Sequence, residues 1–465
     1  MAVDLEGLRR ATEGTLVGPG DPGYDEARSV WNGMIDRRPA GILRAASVGD
    51  IATGLRFARE HDLRVGVRGG GHNVAGTGAV EGGLLLDLGG LASVSVDAAT
   101  GVARTGPGAT LGVVDAATQA HGLAVPVGVV TGTGIAGLTL GGGFGWLTRT
   151  YGLSLDNLLA ADVLLADGAT VRASATSESE LFWGLRGGGG NFGIVTGFEF
   201  QAHPIGPEVF AGALIHERPR WADALRAFDA WTMDIPDELT PVVSFLAPPP
   251  SWDLGSETLM ITGFAWAGPH RADGEHAIAP FRRACPADVE LLDPTTWLAW
   301  QSSVDEVFPK GVRAYWKNAT LDALGDGAIE MIVAWASRLP TRRSGFDIHA
   351  MGGAVARVPD DATAFPNRTA RFLVNMYAVW DEPADDDRGK AWARGFHAAL
   401  RAHAATGQYV NFLALDPTAG DPVAAARATA LEAYGPAKFA RLVALKGRFD
   451  PDNVFRLNHN IPPGG

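Results

Sequence analysis

The sequence has a single cysteine, Cys285, among 465 residues. An intramolecular disulfide is therefore impossible and no cysteine-rich metal centre can form. Cys285 itself is expected to be a buried small hydrophobe. No run of about 18 apolar residues occurs, so no membrane-spanning helix is expected. The start, "MAVDLEGLRRATEG", lacks an apolar h-region, which predicts no signal peptide and a cytoplasmic protein. Basic charge is also short: 39 Lys and Arg face 52 Asp and Glu, a formal net charge of −13. That balance argues against nucleic acid or an anionic membrane surface as a partner. His61, His72 and His121 are scattered, with neither H-x-x-x-H nor H-E-x-x-H, so no metal site is expected. The acidic run "DEPADDDRGK" reads as a solvated helix start, and no repeat or low-complexity tract is present.

What is abundant is glycine, with 61 residues. The clusters lie at 66–83, 126–145 and 184–197, all within the first 200 residues. Glycine serves where backbone must approach something closely or take positive φ. Three such clusters point to one large ligand held by backbone. The first contains "RVGVRGGGHNVAG", where a half-buried strand gives way to three glycines and then His72.

Periodicity predicts a capped helix over 47–63, with Ser47 and Asp50 as candidate caps. Strands are expected at 63–68 and about 84–88, a helix at about 110–121, and a hairpin through "LLAADVLLADGATVRAS". The first region, mixed α+β, ends near 205. From 206 to 420 glycine thins, and antiparallel strands covered by helices on one side fit the pattern, with helices at 321–338 and 386–404. Residues 421–465 read as helix, break, helix and a polar ending, "RLNHNIPP", that packs back onto a site. One motif, "GTGIAG" at 132–137, imitates a dinucleotide fingerprint, with Asp156 about 20 residues on. It is followed by Gly141, Gly142, Gly143 and Gly145. Glycines so dense disfavour a helix at about 0.5–1 kcal/mol each, so an extended loop facing phosphates is expected instead.

Four ordered segments, "VRGGGHNVAG", "TGTGIAGLTLGGGFGWLTRTYGLSLDN", "LFWGLRGGGGNFGIVTGFEF" and "GRFDPDNVFRLNHNI", resemble the FAD-linked oxidases of the berberine bridge enzyme type. These form part of the vanillyl-alcohol-oxidase-like group with a PCMH-type FAD-binding domain. The resemblance runs over nearly the whole chain, including "GGAVARVPDDATAF" and "YVNFL". It implies an α+β fold: a two-part PCMH-type FAD-binding domain (1–205), a substrate domain with a helix-covered antiparallel sheet (206–420), and a C-terminal segment (421–465) returning to the first domain. It also implies that His72 carries FAD through the 8α-methyl carbon, a bond that needs a neutral imidazole as nucleophile. Relatives with a second link use a cysteine where Val130 stands here, so a single histidyl link is expected. Such single-link members act on amines such as hydroxynicotine, or on polyketide-like metabolites.

Carried over by position, Arg68, Gly69, Gly70, Gly71 and Asn73 hold the pyrophosphate, with Gly76 just beyond. Val130, Thr131, Gly132, Gly134 and Gly137 line the isoalloxazine, and Gly141, Gly142, Gly143 and Asn157 support that loop. Asn191 and Ile194 meet the adenosine half, while Asn458 and Asn460 approach the flavin from the tail. "QYVNFLALD" resembles the family's Tyr-x-Asn segment, making Tyr409 the candidate base and Asn411 an orienting group. A tyrosine with an ordinary pKa near 10 needs help to act as a base, for which Lys317 is a candidate neighbour. His349 is a candidate second base. The expected activity is hydride transfer from a small alcohol, amine or natural-product intermediate to flavin N5, with O2 as acceptor and H2O2 as product. The alternative is an oxygenating or dehydrogenating tailoring flavoenzyme of secondary metabolism.

Overall fold

The computed structural model describes residues 4–405, 407–414 and 422–464. The expected boundary at 420/421 lies outside the described residues. Among the described residues the first 205 build two main sheets, beside a two-stranded pairing of Leu123–Ala124 with His203–Pro204. The smaller is four-stranded, with Gly41–Arg44, Leu84–Asp87 and Val65–Arg68 parallel and Thr15–Val17 antiparallel at one edge. Helix Val48–Glu60 packs on it through Ile51, Leu55 and Ala58, whose spacing puts them on one face. Ser47 caps that helix by accepting from the Asp50 N–H. Asp50 does not cap. Its buried carboxylate accepts N–H groups from Glu13, Gly14 and Ala46 and ties the N-terminal segment down.

The second sheet is five-stranded and antiparallel, in the order Val94–Asp97, Val102–Thr105, Ile194–Gln201, Leu158–Leu164, Thr170–Ser174. The long helix Pro422–Phe449 returns to it, breaking at Gly435 (φ 71°), and buries Leu442, Leu445 and Phe449 in its core. Buried Lys446 fixes the ending: its ammonium donates to Asp450 and to the carbonyls of Asn191 and Phe455.

The remaining sheet spans 208–380 and has eight strands among the described residues. Gly345–Ala350 and Phe372–Trp380 pair antiparallel, and Arg313–Leu321 pairs with the latter. Strand alternation gives this sheet two faces. Tyr315, Ala319, Phe346, Ile348, Val374 and Met376 bury against helices Trp221–Trp231, Asp326–Ala336 and Asp386–Leu400. The intervening residues turn the other way, toward the glycine loops.

A second expectation is overturned. Ile135–Gly141 is a helix, not an extended loop. Only Gly137 lies in its interior. Gly142 and Gly143 come after it with φ of 144° and 79°, where glycine ends a helix rather than opposes one.

Candidate active site

The parallel strands Leu84–Asp87 and Val65–Arg68 end side by side, and an ion pair locks them there. Arg68 reaches Asp87 at 2.7 Å and also donates to the Ala27 carbonyl. Gly69–His72 leaves this anchored point. Part of its glycine content serves loop-on-loop packing. A Cβ on Gly70 would lie 2.5 Å from the Gly134 nitrogen, and one on Gly134 would lie 2.4 Å from the Gly70 nitrogen. Gly71 takes φ 67° and delivers the chain to His72. The His72 ring stacks on Trp31, with centroids 4.7 Å apart and an interplanar angle of 21°. Burial pushes its pKa down to about 4, so the imidazole is neutral near pH 7.

These loops open on a cavity of about 300 Å³. All three glycine clusters line it, through Gly69–Gly71, Gly128–Gly137 and Gly188–Gly190, and so does the tail through Asn458 and His459. Arg68, His72, Asn73, Val130, Gly134, Gly137, Asn191 and Ile194 are all at its wall. Thr131 and Gly132 line an adjoining cleft that shares His72 and Val130. Gly76, Asn157 and Asn460 are not at the cavity wall. Gly76 turns at φ 68° against Ile35. The Asn157 amide ties the carbonyls of Tyr151 and Leu153, a brace for the preceding turn.

Gly141, Gly142 and Gly143 stand behind the catalytic candidates. A Cβ on Gly141 would strike the Asn411 amide and one on Gly142 the Tyr409 ring. Gly143 N–H donates to the Tyr409 hydroxyl at 3.0 Å, and the Asn411 amide donates to the same oxygen at 2.9 Å. Both lone pairs of the phenol are thereby taken, which leaves its O–H directed away from them. The Asn318 side chain pairs with the Tyr409 backbone in both directions, at 2.8 and 3.0 Å, and fixes it. Burial raises the Tyr409 pKa to about 12, against the two donors. Lys317 is not brought to this hydroxyl. It alternates onto the face of Tyr315, over whose ring its ammonium lies at 5.5 Å, and it does not line the cavity.

His349 does line the cavity, with Asp347 and Asn375 beside it. Burial alone lowers the His349 pKa to about 3, and its Nε2 has no hydrogen-bond partner. Sequence reading missed Asp347 and Asn375. The alternation in "GFDIHA" was the available signal for Asp347; Asn375 is its register partner on the next strand, which no local pattern reveals. Phe144, Phe308, Trp316 and Phe412 complete an aromatic wall.

The residues present fit a flavin dinucleotide. Open space lies beyond the Cα of Gly137 at the wall, and the Asn458 Oδ1 is buried there without a partner. Residues 39–174 match the family model described as FAD binding domain, and 408–462 match berberine and berberine like. The chain is 30% identical to (R)-6-hydroxynicotine oxidase of Paenarthrobacter nicotinovorans over 472 residues, 97% of each chain. It belongs to the FAD-linked oxidoreductases of the berberine bridge enzyme type. A carbohydrate oxidase of Microdochium nivale is 28% identical over 474 residues, covering 96% of this chain and 92% of that one. The crystal structure of 6-hydroxy-D-nicotine oxidase from Arthrobacter nicotinovorans superposes with a TM-score of 0.84 at 26% identity, covering 97% and 98% of the two chains. The berberine bridge enzyme type thus includes relatives named for an amine and for sugars, all built on this α+β plan.

Proposed function

We propose that this FAD-linked oxidoreductase is an oxidase of a small alcohol, amine or natural-product intermediate, with its flavin carried covalently on His72 alone and with dioxygen as the electron acceptor. The observation that carries the reading is the shared cavity, in which a neutral, stacked imidazole and a doubly hydrogen-bonded tyrosine face the same space. Held there, FAD would supply a two-electron acceptor for the hydride, one that dioxygen could reoxidise with release of hydrogen peroxide.

The chain's own residues do the rest. Val65 to Asn73, the loop around Gly134 and the segment Gly188–Ile194 would hold the dinucleotide. Tyr409 takes the O–H or N–H proton that the substrate gives up beside its departing hydride. Gly143 N–H and the Asn411 amide stabilise the phenolate, as donors aimed at an oxyanion do. The single link is supported by Val130 at the cavity wall and by Cys285, which is buried in the helix-covered core instead. A cytoplasmic setting is part of the same proposal, and a lone buried thiol suits it.

The test is anaerobic titration of the purified yellow protein with amines, alcohols and polyketides, followed by readmission of air. Bleaching by one class, then one peroxide per flavin on reoxidation, is the expected result. A panel that bleaches nothing, or reoxidation without peroxide, overturns the reading. Acid precipitation reports the bond: colour stays with the polypeptide when the link is covalent.

A further inference from the structure

Asp347, His349 and Asn375 form a polar cluster at the cavity that hydride transfer and the proposed base do not use. They reach it from neighbouring strands, where Asp347 and Asn375 are register partners and His349 is two residues along. The cluster is deeply enclosed: the His349 side chain is 8% exposed and Asn375 is 2% exposed. His349 Nε2 lies 4.0 Å from Asp347 Oδ2. Two of the cluster's atoms, His349 Nε2 and Asn375 Oδ1, are buried without a hydrogen-bond partner. Such atoms cost free energy until something supplies the missing bond. The three atoms on offer act as acceptors: a carboxylate oxygen of Asp347, the amide oxygen of Asn375, and His349 Nε2 in the tautomer that carries its proton on Nδ1; the Asn375 amide nitrogen is a donor beside them.

Charge narrows the ligand further. Among the described residues that line the cavity, the Arg, Lys, Asp and Glu side chains are Arg68 and Asp347. Burial raises the Asp347 pKa to about 7, against hydrogen bonds from Ser244 and Tyr377, so a cation beside it favours the carboxylate. Arg68 is already neutralised by Asp87 at 2.7 Å. Asp347 receives a hydrogen bond from the Tyr377 hydroxyl at 3.2 Å but has no cation in contact with it among the described lining residues. The walls around it are aromatic, with Phe308 against Tyr377 at 5.2 Å and Phe144 against His349 at 4.7 Å. A sugar would bring an acceptor with every donor, and these three atoms meet only its donors. An ammonium brings up to three N–H donors, no acceptor and the missing positive charge.

We propose that the substrate, on the oxidase reading above, is an amine with a flat apolar body, whose ammonium docks on Asp347, His349 Nε2 and Asn375 Oδ1. The ammonium is an anchor. Phe144 packs against both His349 and Tyr409, at 4.7 and 4.8 Å, so the body lies along that ring. The carbon that is oxidised, with the separate O–H or N–H whose proton Tyr409 takes, then sits on the Tyr409 side.

Benzylamine, benzyl alcohol and cellobiose are the probes, titrated anaerobically into the flavin-loaded protein while its absorbance is followed. Benzylamine is expected to bind at least about tenfold more tightly than benzyl alcohol, the size of one charge-assisted hydrogen bond. In Asp347→Asn, isosteric but uncharged, that preference should fall below about threefold. Equal binding of amine and alcohol by the wild-type protein overturns the proposal, and that comparison needs no variant. So does tighter binding of cellobiose, or a preference that survives Asp347→Asn. Benzylamine is a binding probe, and bleaching is read on the wider panel of amines, alcohols and polyketides: if benzylamine binds with the expected preference but nothing in that panel bleaches the flavin, the oxidase reading fails and the amine site stands.

Discussion

The glycine-rich loops and the eight-stranded sheet each supply half of one cavity, by opposite means. The loops use backbone. Gly70 and Gly134 touch through their main chains, and Gly141 and Gly142 leave room for Asn411 and Tyr409. The sheet uses side chains on one face, with Asp347, His349 and Asn375 set by register. A backbone wall suits a ligand common to the family, because it depends on the absence of side chains. A side-chain wall can change its chemistry one residue at a time without disturbing the strands. On the proposed function, cofactor retention falls to the first half and substrate choice to the second. The difference also says how to break that assignment.

The largest effect should come from His72→Ala. The colour that resists acid precipitation in the wild-type protein should be lost completely from the polypeptide, while the melting transition moves little, since the ring projects into the cavity. Retained colour would place the tether elsewhere and remove the first half's claim to the cofactor.

Next comes Tyr409→Phe, which joins the halves. Loss of the base should lower kcat/KM by about 10²–10⁴-fold with covalent flavin unchanged. The pH dependence gives the sign. A base must be unprotonated to act, and burial holds Tyr409 protonated up to about pH 12. The wild-type kcat/KM should therefore climb with pH through the neutral and alkaline range, and the Phe variant should be flat. A profile that falls as pH rises would exclude the phenolate as base. His349, held neutral by burial down to about pH 3, contributes no step to that range.

Gly70→Ala tests the backbone wall directly. Its Cβ would meet the Gly134 nitrogen at 2.5 Å and Cα at 2.6 Å, and neither can swing aside as a side chain would. A destabilisation of about 1–3 kcal/mol is expected, read as a lower melting temperature together with lower flavin content. Asp347→Asn should leave flavin content alone. If the two variants behaved alike, the division between retention and selection would collapse.

The same division explains what could be read from sequence. Gly69 to His72, and the tail through Asn458, were legible because glycine runs and unusual polar endings are local signals. Tyr409 and Asn411 were legible through a short motif. Asp347 and Asn375 were not, because they meet only through strand pairing across 28 positions of chain. Lys317 was misplaced for a related reason: one step along a strand moves a side chain to the other face, and "RAYWKNATL" does not say which face turns inward. The helix at Ile135–Gly141 was missed because glycine density was weighed without asking where the helix ends.

Trp31 gave no sequence signal at all, and it carries the smallest expected effect. Its N–H donates to the Gly71 carbonyl at 3.0 Å, and its own carbonyl accepts from Gly311 N–H at 2.9 Å. Its indole N–H donates to the Phe308 carbonyl at 3.0 Å, and its ring stacks on His72. Trp31 thus ties the orientation of His72 to the segment around Phe308 and Gly311. The same segment grips the opposite wall, where Asp305 accepts the Thr131 N–H at 2.8 Å and its hydroxyl proton. A stacked aromatic pair is worth about 0.5–1.5 kcal/mol, so Trp31→Leu should slow formation of the covalent bond roughly two- to tenfold. Trp31→Phe, which keeps a stacking ring, should recover most of the rate. Both are measured on apoprotein mixed with FAD, as acid-stable flavin against time. Equal rates in all three proteins would mean that His72 is set by Gly71 and Arg68 alone, and that the backbone half of the cavity needs no help from the other.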